Sequence, residues 1–236
     1  MLNNKTIAVI GAMDCEVEML RNLLCETEEV DIGRFCIWKG KIGTNSVIVV
    51  KSGVGKVNAA ACTQFLADKF SPDYIINTGI AGGVSKGLSV GDVVLATHLV
   101  QYDFDVTALG YAKGYMCTGV NPDKPTIFYA DESLSSHFEK SAEMVGTTLH
   151  RGVIASGDMF VANADKKKEI AEIFNASAVE MEGAAIAQCA YLNNIPFVIV
   201  RAISDLADGT AAKSLDDFEY KSAQISSAII KNLLEK

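Results

Sequence analysis

Ser177-Ala178-Val179-Glu180-Met181-Glu182-Gly183-Ala184-Ala185 is the stretch on which the reading of this chain turns. Residues 176–181 read as a buried strand and 183–193 as a helix, and the small residues Gly183, Ala184, Ala185 and Ala187 let that helix lie close to a sheet. A strand that runs straight into a helix is the repeating unit of an α/β fold. Two carboxylates stand two positions apart. Residues so spaced on a strand share a face, so Glu180 and Glu182 are expected to project together. An unpaired buried carboxylate is costly. Something polar must meet them, and a sugar with adjacent hydroxyls suits the need.

The same alternation runs outward from this stretch. Residues 6–12 read as a buried strand. Residues 14–24 then read as a helix, with Val17, Leu20, Leu23 and Leu24 at helical spacing. Strands are expected at 35–38, 46–51, 73–77, 93–100, 152–155 and 196–203, and helices at 56–70, 132–145, 165–174 and 218–234. Residues 101–126 are irregular, with three glycines and two prolines, and a connection of that length is expected to be a functional loop or lid. No repeat or low-complexity tract interrupts the pattern. The fold expected is α/β: one domain over 1–236, a three-layer sandwich around a central mixed, mostly parallel sheet.

In such sheets ligands bind at the carboxyl ends of the strands. Glu16 follows one strand and the glycine-rich Gly79-Ile80-Ala81-Gly82-Gly83 follows another. Glu182 and Asp205 follow two more. Four polar or glycine-rich features are thus expected on one edge of the sheet. Each also has an ordinary explanation. Glu16 could be a solvated residue favoured by a helix dipole, and Ser204-Asp205 could cap a helix. Gly79–Gly83 could be a tight turn, and Ser52-Gly53-Val54-Gly55-Lys56, short of a P-loop, a helix start with two turn glycines. Arg201 is different, because a charge inside the apolar run 197–203 needs a partner, and a nearby carboxylate is the obvious one.

Composition narrows the class. The chain has 236 residues, of which 49% are hydrophobic and 21% charged, with a net charge of −8. An acidic chain of this kind does not suit nucleic acid or an anionic membrane. No apolar run reaches the length of a membrane span, and the N-terminus shows no signal-peptide pattern. The six cysteines form no CxxC pair, so zinc is not expected and reduced thiols in a cytoplasmic protein are. None of the three histidines lies near Cys15 in sequence, so a Cys/His dyad is not supported.

Taken in order, these segments resemble the nucleoside phosphorylase/hydrolase superfamily and, within it, the 5′-methylthioadenosine/S-adenosylhomocysteine nucleosidases. The matching segments are Ile10-Gly11-Ala12-Met13 with Glu16, Lys51-Ser52-Gly53-Val54-Gly55-Lys56-Val57, Ile76-Asn77-Thr78-Gly79-Ile80-Ala81-Gly82-Gly83, Asp105-Val106-Thr107-Ala108, Ala155-Ser156-Gly157-Asp158, Val179-Glu180-Met181-Glu182 and Arg201-Ala202-Ile203-Ser204-Asp205. They span essentially the whole chain, and as a set they are specific.

The resemblance implies hydrolysis of the N-glycosidic bond of methylthioadenosine and S-adenosylhomocysteine, with 5′-deoxyadenosine as a further substrate. It implies Glu16 as the base that activates water and Asp205 as the acid that protonates adenine N7. Met181 and Glu182 would hold the ribose, and Phe160 with the Val161 backbone would read the adenine. Gly82, Ile80, Ser204 and Arg201 would complete the substrate site. No metal or organic cofactor is implied. A homodimer is, with Leu109 reaching the partner's pocket; a lid over its own pocket is the other reading of that loop. Ile80 stands where many members carry Ser, and Leu109 and Leu215 where some carry Phe, so a modest change of pocket shape is expected. Two rivals remain at this stage. A phosphorylase would need arginines for phosphate, yet the N-terminal loop offers Asp14 and Glu16. A non-catalytic nucleoside-binding protein of the same fold would have no need of both acids.

Overall fold

The computed structural model describes residues 2–118, 120–207 and 215–235, and the side chains at 31, 32, 215–219 and 222 lie outside the described set. In chain order the elements are β1 (Thr6–Gly11), α1 (Asp14–Leu23), β2 (Cys25–Ile32), β3 (Phe35–Ile42), β4 (Asn45–Lys51), α2 (Lys56–Phe70), β5 (Tyr74–Asn77), β6 (Ile80–Gly83), β7 (Val93–Gln101), β8 (Phe128–Tyr129), α3 (Glu132–Met144), β9 (Leu149–Ser156), α4 (Ala164–Phe174), β10 (Ala176–Glu180), α5 (Gly183–Leu192), β11 (Phe197–Asp205) and α6 (Leu215–Leu234).

The central strands are apolar on both faces because helices cover both. Along β1, Ile7 and Val9 join Leu20 of α1, Phe138 of α3 and Ile229 of α6 in one core. Ala8 and Ile10 point the other way, into a second core with Leu66 of α2 and Ile186 of α5. This is the three-layer arrangement expected. The strand order is β2-β3-β4-β1-β5-β11-β6-β10-β9-β7-β8, and β11 also pairs with β7. Pairing is parallel for β1 with β4 and β5, for β11 with β5 and β6, and for β9 with β10 and β7. It is antiparallel for β2–β3, β3–β4, β6–β10, β7–β8 and β7–β11. The sheet is therefore mixed, and its β11-β6-β10-β9-β7 part closes on itself through β11.

Two elements differ from the sequence reading. Residues 25–32 carry Glu26, Glu28, Glu29 and Asp31 and show no apolar alternation, yet they form β2. That strand is the sheet edge, and Lys39 and Lys41 of β3 pair with Glu28 and Glu26 across it. Charges on an edge discourage further strand addition. Gly79–Gly83 was expected as a loop; its last four residues are strand β6, held between β11 and β10. Among the described residues of the connection after β7, Thr107–Leu109 form a short 3₁₀ turn. Tyr102 and Tyr115 are buried in their own chain, whereas Leu109 is 70% exposed. The Leu215 side chain lies outside the described residues.

Candidate active site

The carboxyl ends of β1, β5, β10 and β11 meet at one cleft of about 180 Å³. Ala12, Met13, Glu16, Val54, Ile80, Ala81, Gly82, Phe160, Val179, Glu180, Met181, Glu182, Ser204 and Asp205 line it. A smaller adjoining recess adds Met159 and Val161. The convergence expected from the strand ends is thus observed.

Glu16 sits on the first turn of α1 but is buried, not solvated. Its Oε2 accepts from the N–H groups of Ala12 (2.6 Å) and Met13 (3.0 Å), and its Oε1 from that of Ile80 (3.2 Å). The Oε1 approach depends on Gly79, where a Cβ would lie 2.6 Å from that oxygen. Burial pushes the Glu16 carboxyl above its ordinary value of 4.5, against the pull of Arg201 and the three N–H donors.

Asp205 ends β11, opposite Gly82 of β6, where the register slips. It is buried; Oδ2 accepts from Ser204 Oγ (2.8 Å) and Oδ1 from the Ala207 N–H (2.7 Å). Its hydrogen bonds come from neutral groups.

Glu180 and Glu182 do not share a strand face. The strand stops at Glu180, and Glu182 stands at the N-cap of α5. Glu180 is consumed by structure. It pairs with Arg201 Nη2 and accepts from Ser156 Oγ, and its Oε2 also takes the N–H groups of Glu182 (3.0 Å) and Gly183 (2.7 Å). Those two amides are orphans at the start of a helix, so Glu180 caps α5 as well as neutralising Arg201. Glu182 keeps one oxygen within 4.0 Å of Arg201 and accepts from the Gly55 N–H (2.8 Å) with the other. Burial, then the Glu180 charge, push its carboxyl up to about 7.

Arg201 is the buried cation the sequence demanded a partner for. It lies behind the cleft and is not among its lining residues. Nη2 also donates to Asn77 Oδ1 (2.6 Å) and Nη1 to the Val200 carbonyl (2.9 Å), while Asn77 Nδ2 donates to the Ile10 carbonyl (2.8 Å). Ile80, Gly82, Phe160, Met181 and Ser204 line the cleft, and Val161 the recess. Leu109 lines neither. Sequence reasoning missed the structural duty of Glu180, although Arg201 called for such a partner, and it missed the three backbone donors on Glu16, which no side-chain pattern announces.

The family model described as Phosphorylase superfamily matches residues 6–235. A curated protein of Haemophilus influenzae (strain PittEE), named 5′-methylthioadenosine/S-adenosylhomocysteine nucleosidase, is 43% identical over 98% of this chain and 99% of its own length. This chain belongs to the 5′-methylthioadenosine/S-adenosylhomocysteine nucleosidase family. Among solved structures, the nucleosidase of that name from Neisseria meningitidis, in complex with methylthio-immucillin-A, is 41% identical with a TM-score of 0.90 and covers 98% of this chain and 99% of that one. A futalosine hydrolase mutant of Helicobacter pylori strain 26695 is 33% identical, also with a TM-score of 0.90, over 98% of this chain and 99% of that one. Family membership therefore spans the whole cleft just described. Among the described residues, no helix is long and apolar enough to cross a membrane.

Proposed function

We propose that this protein hydrolyses the N-glycosidic bond of 5′-methylthioadenosine and S-adenosylhomocysteine, with Glu16 as base and Asp205 as acid. The observation that carries the reading is the set of three carboxylates, Glu16, Glu182 and Asp205, on one cleft whose buried cation is already paired by Glu180. Glu16 takes a proton from water, and the water oxygen bonds to the anomeric carbon. The bond from that carbon to adenine N9 breaks as Asp205 gives its proton to N7, so adenine leaves neutral. Charge builds on the ribose ring as this bond loosens, and carboxylates on the cleft stabilise it. Glu182 accepts from the ribose hydroxyls, beside Met181. The base lies in the recess under Phe160, with the Val161 backbone along its edge.

Water rather than phosphate is the nucleophile in this reading, because a phosphate dianion would meet Glu16 and find Arg201 committed to Glu180. The 5′ substituent extends along Val54 and Met13, and 5′-deoxyadenosine is expected to be accepted too. The protein is expected to act in the cytoplasm as a homodimer. Leu109, exposed on its own chain, then covers the partner's cleft; Leu109→Asp should give a monomer by light scattering. The deciding experiment follows adenine and sugar from methylthioadenosine in phosphate-free buffer. Adenine with free methylthioribose supports the reading. Sugar phosphate, formed only when phosphate is added, overturns it.

A further inference from the structure

Ser52-Gly53-Val54-Gly55-Lys56 is a glycine-rich segment for which the reaction has no evident use beyond Val54 in the cleft wall. The start of α2 that it forms presents two successive backbone donors. The Gly55 N–H binds Glu182 Oε1 at 2.8 Å, and the Lys56 N–H binds Asp158 Oδ1, also at 2.8 Å. Asp158 is in turn fixed: its own N–H donates to Asp103 Oδ2 at 2.9 Å. The Lys56 ammonium closes the circuit on Asp103 Oδ1 at 2.6 Å and also reaches Gln101 Oε1 at 3.1 Å. Lys56, Asp103 and Asp158 thus form a closed ring joining α2 to the ends of β7 and β9. Gly55 sits at φ +95°, a conformation that side chains disfavour, so its N–H direction is set by backbone geometry.

We propose that Asp158 is a positioning residue for Glu182, acting through this ring to hold the Gly55 N–H on the carboxylate that receives the ribose. The inference rests on the nucleosidase reading and on Glu182 as the ribose acceptor. Without the ring, the start of α2 is free to shift, and Glu182 loses the neutral donor that favours its charged form. The groups facing Glu182 are then Glu180 from β10, Glu16 from α1 and Arg201 from β11. Two of these three are acids. Its protonation should therefore move to higher pH, and a protonated Glu182 accepts poorly from hydroxyls.

The test compares Asp158→Ala and Asp158→Asn with the wild type, following adenine release from methylthioadenosine across pH. Asp158→Ala should raise KM roughly tenfold, the order expected for losing one hydrogen bond to a charged group. It should leave kcat within about threefold, the signature of lost ground-state binding. The acidic limb of kcat/KM should move up by about one pH unit. Asp158→Asn keeps an oxygen acceptor for the Lys56 N–H and should restore most of the KM. An unchanged KM, a fall in kcat with the acidic limb in place, or an asparagine variant as impaired as the alanine one would each overturn the proposal. Should Asp158→Ala not fold, Lys56→Met removes the ring's side-chain arm, keeps every backbone donor, and carries the same expectations. A wild type that releases no adenine removes the nucleosidase reading itself, which separates that failure from the failure of the ring.

Discussion

Glu180 and Glu182 lie two residues apart, both buried, and they are held on opposite terms. Glu180 meets a guanidinium, a hydroxyl and two helix-start amides, so its negative charge is compensated on every side. Glu182 has one backbone amide and a distant Arg201. Glu16, across the cleft, is likewise held by backbone amides. A fully compensated charge becomes part of the frame. Glu16 and Glu182, buried with backbone amides in place of a close counter-charge, are both pushed above the ordinary carboxylate value. The frame and the cleft wall are thus made of the same residue type, and the partners decide which is which.

The contrast can be broken experimentally. The largest effect is expected at Asp205. Asp205→Asn keeps the shape and both local donors but cannot give a proton, so kcat on methylthioadenosine should fall by about 10²–10⁴-fold with little change in Tm. Near-normal turnover would take the acid role away from it. Arg201→Met should act on the frame instead. It leaves Glu180 buried without its counter-charge, with only neutral donors, and should cost about 3–5 kcal/mol in chemical denaturation. Adding Glu180→Gln should return part of that loss, and a double variant as weak as the single one would mean the pair is not the unit described.

A subtler change moves Glu16, the proposed base, without removing it. Gly79→Ala would set a methyl 2.6 Å from Glu16 Oε1. Displacing a reacting group by such an amount can cost about 10²-fold in rate, and the loss should appear in kcat while the urea midpoint moves little. The smallest effect concerns stability against pH. The Glu182 carboxyl titrates near 7 in the folded protein and near 4.5 when free. Between those values the folded state holds the extra proton, so wild-type stability falls as pH rises through the window. Glu182→Gln lacks this titration. Its Tm should gain a few degrees on the wild type from pH 4.5 to about 7 and run parallel above. A constant gap across the window would show that Glu182 is no less compensated than Glu180.

Much of this was readable before any coordinates. The strands read at 6–12 and 196–203 are found at Thr6–Gly11 and Phe197–Asp205, because burial on both faces leaves a mostly apolar run. Glu16, Gly82, Glu182 and Asp205 were legible as neighbours because they follow strands at one edge of the sheet, whereas Ile80, Phe160, Val161, Met181 and Ser204 were legible only through the family resemblance. Two things were hidden. β2 is rich in acids, and it is a strand because its backbone pairs with β3, whose Lys39 and Lys41 meet Glu28 and Glu26. The distinction between Glu180 and Glu182 rests on where β10 stops, and a spacing of two residues cannot report that. Nor could it report the backbone amides of Ala12, Met13, Ile80 and Gly55, since every residue but proline carries one.

β11 pairs with β5, β6 and β7, so the most connected strand of the sheet is also the last one made. It carries both Arg201 and Asp205. Until it is made, β5, β6 and β7 lack the strand that joins them, and the β11 pairings link residues about 100 or more positions apart. Such long-range closure is slow and leaves strand edges open meanwhile. A nascent chain halted before residue 197 therefore has neither the Asp205 carboxylate of the cleft nor the Arg201 cation behind it. The cleft is therefore completed late, by the same strand that joins the two halves of the sheet.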